Sequence, residues 1–112
     1  MLKNIAHVIR KVVRGSDVVA RHGGEEFVIV MPETREDVAA TRAEELRSEI
    51  AALRLTYNGQ DLGAITVSVG VVCSLRSTET AEELVRIADH AMYEAKQGGR
   101  NRIVLKRLDA AA

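Results

Sequence analysis

The sequence has no tryptophan, two tyrosines, one phenylalanine, one proline and one cysteine in 112 residues. So few rings exclude the stacking platforms on which single-stranded nucleic acids are held. A lone cysteine, Cys73, closes no internal disulfide. Its apolar neighbours Val71 and Val72 mark it as a small buried hydrophobe in a reducing compartment, since no His/Asn pattern of a thiol enzyme accompanies it. Charge of one sign is also missing: 16 Lys+Arg balance 16 Asp+Glu. No cationic field therefore draws the chain to a nucleic-acid polymer or an anionic membrane surface. No apolar run approaches the roughly 18 residues a membrane span requires, and Lys3 and His7 interrupt the apolar positions of the N-terminal stretch. Membrane insertion is not expected, and the cytoplasm is the expected location. His7, His22 and His90 lack the spacing of a zinc site, and there is no Walker-type phosphate loop.

What is present is 46% hydrophobic and 29% charged residues, the balance of one globular domain, which at this length buries roughly two-thirds of its unfolded surface. We place that domain at residues 1–108 and a frayed tail at 109–112. Leu2, Ile5, Ala6, Ile9, Val12 and Val13 recur at helical spacing and predict an opening helix that ends near Arg14-Gly15. Val18 to Arg21 and Phe27 to Met31 flank Gly23-Gly24, a pair able to supply the positive φ angles of a tight hairpin. Thr34 is the expected N-cap of a helix whose face is Ala39, Ala43, Leu46, Ile50 and Leu53. Asn58-Gly59 predicts a minor hairpin with Tyr57 and Leu62 on its arms. Ile65, Val67, Val69 and Val71 alternate with Thr66, Ser68 and Gly70, the pattern of a strand with one apolar face. Thr80 and Glu83 form a capping box for a helix carrying Leu84, Ile87, Ala88, Ala91, Met92 and Ala95, stopped by Gly98-Gly99. A strand over Arg102 to Leu105 closes the order α, β, β, α, β, α, β, an α+β fold with helices covering an antiparallel-rich sheet.

The stretch that points to chemistry is Gly23-Gly24-Glu25-Glu26-Phe27. Mg²⁺ takes hard carboxylate oxygens and keeps waters for substrate phosphates, so one or two acids on a glycine turn can form part of such a site. Successive strand residues face opposite ways, so one of Glu25 and Glu26 is expected as a direct ligand and the other as a supporting acid. The plain alternative is a pair of solvated acids beside a common turn.

These residues, with Asp17-Val18-Val19-Ala20-Arg21, Val28-Ile29-Val30-Met31-Pro32, Ile65-Thr66-Val67-Ser68-Val69-Gly70 and Ala88 to Asn101, resemble in order and spacing the blocks of the GGDEF family, the bacterial diguanylate cyclase domains. The resemblance covers nearly the whole chain. It implies the condensation of two GTP molecules, each held by one domain of a dimer, into cyclic di-GMP with loss of two diphosphates. It implies Glu25 as Mg²⁺ (or Mn²⁺) ligand and candidate base for the 3′-hydroxyl, Glu26 as accompanying acid and metal ligand, and Gly23 and Gly24 as the approach for the nucleotide. Lys96 and Arg100 match the phosphate-contacting pair, where the plain alternative is two cations complementing a helix end. Arg14 and Asp17 match the family's inhibitory product site, in which an arginine and a carboxylate read two edges of one guanine. The alternative there is a helix-end arginine and a turn aspartate. One departure concerns that site: where many relatives place a second arginine, this chain has Glu45, with Arg42 and Arg47 nearby, which implies reduced product affinity.

The resemblance also implies an N-terminally truncated domain. Family members start upstream with a sensory domain, then a strand bearing a metal-binding aspartate and residues that recognise the guanine of GTP. The expected fold is accordingly ferredoxin-like, of the nucleotidyl-cyclase palm type, lacking its first central strand. The gap could be filled by a partner's strand, by closure of the sheet onto itself, or by a strand-swapped homodimer. Negligible cyclase activity is expected of the chain alone. The competing expectations are a non-catalytic module that binds cyclic di-GMP through Arg14 and Asp17 or serves for dimerisation, and an unassembled fragment with open sheet edges.

Overall fold

A computed structural model describes residues 2–23, 25–53, 55–63, 66–74 and 80–108. The chain runs α1 (Leu2–Val12), β1 (Val18–Gly23), β2 (Glu26–Pro32), α2 (Glu36–Ala51), β3 (Leu55–Tyr57), β4 (Gln60–Gly63), β5 (Ser68–Ser74), α3 (Ala81–Gln97) and β6 (Arg102–Leu108). The α+β class and every expected element are present. Ile65 and the tail at 109–112 lie outside the described residues.

The main sheet has the order β1-β2-β5-β6, and β3 pairs with β4 in a separate ribbon. β1 and β2 are antiparallel, with a register shift between Arg21 and Gly23. β2 pairs with β5 in parallel from Glu26↔Ser68 to Pro32↔Ser74, and β5 pairs with β6 in parallel from Ser68↔Arg102 to Ser74↔Leu108. The antiparallel-rich pairing expected from the sequence is thereby corrected for the main sheet, where two of the three ladders are parallel. The physical reason lies in the connections: a helix-containing crossover returns each strand to the same end of the sheet, which makes its neighbour parallel. Of the ways to complete the sheet, the structure shows closure onto itself, with β2 hydrogen-bonded directly to β5.

Parallel strands covered on both faces lose the apolar/polar alternation, and β5 is buried at every position. On one face Phe27, Ile29, Met31, Val69, Val71 and Cys73 pack with Val8 and Val12 of α1 and Ala39, Ala43, Leu46 and Ile50 of α2. On the other, Val28, Val30 and Val72 pack under Ala88 and Met92 of α3. Small residues let α3 lie close to the sheet. At Gly70 a Cβ would stand 1.9 Å from the Ala88 carbonyl oxygen and 2.2 Å from the Met92 nitrogen, so only glycine admits the helix. Cys73 is buried and forms no disulfide, as its neighbours indicate.

Local signals hold with two corrections. Thr80 caps α3 by accepting from the Glu83 amide at 3.2 Å, and Asn58 (φ 51°) with Gly59 (φ 78°) makes the expected tight turn. Thr34, however, does not cap α2: the N-cap is Arg35, with no side-chain bond. The Thr34 hydroxyl is instead buried and donates to the Pro32 carbonyl at 2.9 Å. Gly23 does not take a positive φ either, and Gly24 lies outside the described residues.

Candidate functional site

Alternation along β2 places Glu26 on the same side as Val28 and Val30, the side covered by α3. Lys96, in the last turn of α3, meets it there, with Nζ 3.2 Å from Glu26 Oε1. Gly23 is the register partner of Glu26, and a Cβ on it would lie 2.8 Å from Glu26 Oε2. Glycine at this position therefore leaves room for the carboxylate. Glu25 occupies the turn and is exposed; its carbonyl accepts from the Ser68 amide at 2.9 Å, which ties the hairpin end to the start of β5. Arg21 stiffens the same hairpin by donating through Nε to the Gly23 carbonyl at 3.0 Å and lying 5.7 Å over the Phe27 ring.

The structure thus joins Glu26 to Lys96 and leaves Glu25 and Arg100 exposed. Arg100 follows the helix end with a left-handed φ of 61°, its amide donating to the Ala95 carbonyl at 3.0 Å. The Glu26 and Lys96 side chains are 26% and 32% exposed, and a pair so wetted contributes about 1 kcal/mol or less. A phosphate can redirect Lys96 at small cost. Two carboxylates with oxygen donors at a glycine turn suit a hard divalent cation that keeps waters for a nucleotide. Among the described residues, no cluster of three or more His, Cys, Asp or Glu side chains forms a ready metal cage.

Arg14 and Asp17 lie at the opposite end of β1 from this hairpin. The strand has six residues at about 3.3 Å each, which separates the two ends by about 20 Å. The Arg14 amide donates to Asp17 Oδ2 at 2.9 Å, and the Asp17 amide to the Arg14 carbonyl at 3.0 Å, closing the turn after α1. The Arg14 guanidinium donates to Thr34 Oγ1 at 2.6 Å. The Asp17 side chain is wholly buried, Arg42 Nη1 of α2 lies 3.3 Å from its Oδ2, and Oδ1 is buried without a hydrogen-bond partner. Of the two motif residues, the Asp17 side chain is buried, while Arg14 is exposed and tied by one bond to Thr34.

Three of these contacts have no local signature in the sequence. His22 Nε2 lies 3.3 Å from Asp89 Oδ1 and links β1 to α3, and Arg42 reaches Asp17 across 25 residues. Thr34 shows cap-like spacing but serves as the acceptor for Arg14. Arg47 is held by Glu44 and by Asn101 Oδ1 at 2.7 Å, and Glu45 is exposed.

Comparisons with known proteins show the family and the fold. The family model described as "Diguanylate cyclase, GGDEF domain" matches residues 1–102. The chain is 36% identical over 107 residues to diguanylate cyclase A of Treponema denticola, covering 96% of this chain and 29% of that protein. It is 40% identical over 103 residues to diguanylate cyclase DgcP of Pseudomonas aeruginosa, covering 92% of this chain and 15% of that protein. Among solved structures, the GGDEF domain of DgcB from Caulobacter crescentus in complex with c-di-GMP superposes with a TM-score of 0.71 at 36% identity, covering 92% of this chain and 61% of that one. Diguanylate cyclase SiaD from Pseudomonas aeruginosa, in complex with its activator SiaC, gives 0.74 at 33% identity, covering 94% and 40%. The fold is of the palm-like nucleotidyl-cyclase type that these domains share. The chain belongs to the diguanylate cyclase GGDEF domain family and spans less than a third of the length of these two curated relatives. No described helix is long and apolar enough to cross a membrane.

Proposed function

We propose that this chain is the nucleotide-handling module of a diguanylate cyclase, joining two GTP molecules into cyclic di-GMP with release of two diphosphates. The observation that carries the reading is the meeting of Glu26 and Lys96 at a Gly-Gly-Glu-Glu hairpin end within a chain of this family. Glu25 and Glu26 would hold Mg²⁺ or Mn²⁺, which when bound neutralises triphosphate charge. Gly23 and Gly24 admit the nucleotide. Lys96, released from Glu26, and Arg100 bind phosphate oxygens by direct charge. Glu25 accepts the proton of the 3′-hydroxyl as that oxygen bonds to the α-phosphorus of the second GTP and the bridging oxygen departs with diphosphate. Two copies of the domain must face each other for this, each contributing one GTP, so the active form is a homodimer; a preceding sensory domain and a cytoplasmic location fit this role.

By itself the chain presents two glutamates and no third described metal-ligating group beside them, so we expect GTP binding with negligible turnover. The test incubates the 112-residue protein with GTP and Mg²⁺, follows cyclic di-GMP by mass spectrometry, and measures GTP binding by calorimetry. Binding weakened at least tenfold in Lys96→Ala and in Glu25→Gln is the expected result. Equal binding by both variants refutes the site assignment, and ready turnover by this chain refutes the expected inactivity.

A second reading is a non-catalytic module that holds cyclic di-GMP through Arg14 and Asp17. Two observations favour it: the similar DgcB domain was solved with c-di-GMP, and Asp17 Oδ1 has an unfilled acceptor position. Cyclic di-GMP binding lost in Arg14→Ala, with no GTP binding at the hairpin end, would select it.

A further inference from the structure

The geometry points to Arg42 as an internal latch that occupies the Arg14–Asp17 site and must leave before any guanine-bearing ligand can enter. The inference rests on the second reading above, that this pair binds cyclic di-GMP, and adds what this chain does to its own site.

A guanine edge offers a ring N–H and an amino group, and a carboxylate reads them with both of its oxygens. In this structure neither oxygen of Asp17 is available. The side chain is wholly buried, and Oδ2 is shared between the Arg14 amide at 2.9 Å and Arg42 Nη1 at 3.3 Å. Oδ1 is buried with no partner, an uncompensated acceptor of the kind that proteins keep rare. The exposed Arg14 gives one Nη2 bond to the buried hydroxyl of Thr34 at 2.6 Å. Of the groups around Asp17, the Arg14 amide is fixed backbone at the end of a closed turn. Arg42 is a long side chain from a different element, 16% exposed and joined by a single bond at the long end of the hydrogen-bond range. It is the removable part of the closure. Its departure opens Asp17, and the N–H groups of an entering guanine bring Oδ1 the donor it lacks.

A site closed by its own protein binds with an affinity reduced by the fraction of molecules in the open state. With the latch open in about one molecule in ten, removing it tightens binding about tenfold. The opposing possibility is that Arg42 contributes to the ligand's phosphates, in which case its loss weakens binding.

The experiment measures cyclic di-GMP affinity by calorimetry for the unmodified chain, Arg42→Gln and Asp17→Asn. The expected result is a roughly tenfold lower Kd for Arg42→Gln and loss of binding for Asp17→Asn. Unchanged or weaker binding by Arg42→Gln, with Asp17→Asn still abolishing it, overturns the latch and leaves the second reading standing. No binding by the unmodified chain or by Arg42→Gln removes that reading and the latch with it. Because Arg42→Gln leaves a buried carboxylate unpaired and could compromise folding, the unmodified chain is also followed by side-chain guanidinium NMR. On saturation, the Arg42 signal moves to a solvent-like position if the latch opens; an Arg42 signal that stays in place while that of Arg14 shifts overturns the proposal.

Discussion

Gly70→Ala adds one methyl group at the point where α3 crosses β5. The new Cβ would lie 1.9 Å from the Ala88 carbonyl oxygen, 2.2 Å from the Met92 nitrogen and 2.7 Å from the Met92 Cα. Ordinary carbon contacts are about 3.5 Å, so the methyl intrudes by about 1.5 Å. The obstacle is helix backbone, so no rotamer change can relieve it. The helix must lift, loosening Ala88 and Met92 from Val28, Val30 and Val72. Overpacking usually costs about 1–3 kcal/mol, and an obstruction made of backbone belongs at the upper end, so we expect about 3 kcal/mol. For a domain of this size that lowers Tm by roughly 12 °C. The assay is urea unfolding followed by circular dichroism, alongside calorimetry. Gly15→Ala is the control, since a Cβ there meets nothing within 4 Å, and it should stay within about 0.5 kcal/mol of the parent. A loss below about 1 kcal/mol in Gly70→Ala would refute the close seating of α3, and with it the placement of Lys96 beside Glu26.

Leu46 is wholly buried in the α2 face, and Leu46→Ala should cost about 2–5 kcal/mol by chemical denaturation; a cost under about 1 kcal/mol would show that α2 is not packed there. Three carboxyls sit below the ordinary carboxylate range: Asp37 through hydrogen bonds from Arg35, Glu44 through those from Arg47, and Glu94 mainly through one from Lys106. A depressed folded-state value stabilises above the unfolded value, near pH 4, and this contribution is lost as the pH falls through the folded one. Stability should therefore be level from neutral pH down to about 4 and decline below it. In Lys106→Ala, carbon-detected NMR titration should show Glu94 moving upward; an unmoved Glu94 would contradict the assignment.

Much of this was legible in the sequence because it is local. Helical spacing marked the buried face of α2 from Ala39 to Ile50, and Thr80 marked the start of α3. The alternation argument separated Glu26, which faces Lys96, from exposed Glu25. What was not legible depends on pairs distant in the chain. The parallel ladder between β2 and β5 is a choice of neighbour that alternation in either strand does not encode. β5 shows apolar alternation only in part, since Val72 and Cys73 fill both faces of a strand covered on both sides. Gly23 was read as a source of positive φ, yet it takes none, and the atoms a Cβ there would meet belong to the movable end of the Glu26 side chain. The commitment of Arg14 to Thr34 and of Asp17 to Arg42 joins residues 20 and 25 positions apart, beyond the reach of any motif.

The central claim is that the glutamates at the hairpin end, together with Lys96, receive a divalent cation and a nucleotide. It is tested most directly by titrating Mn²⁺ with GTP into the isotope-labelled chain and recording paramagnetic broadening of backbone amides. The expected broadening is centred on Glu25 and Glu26, extends to Lys96, and is abolished when both glutamates are changed to glutamine. Broadening centred elsewhere, or unaffected by those substitutions, would contradict it.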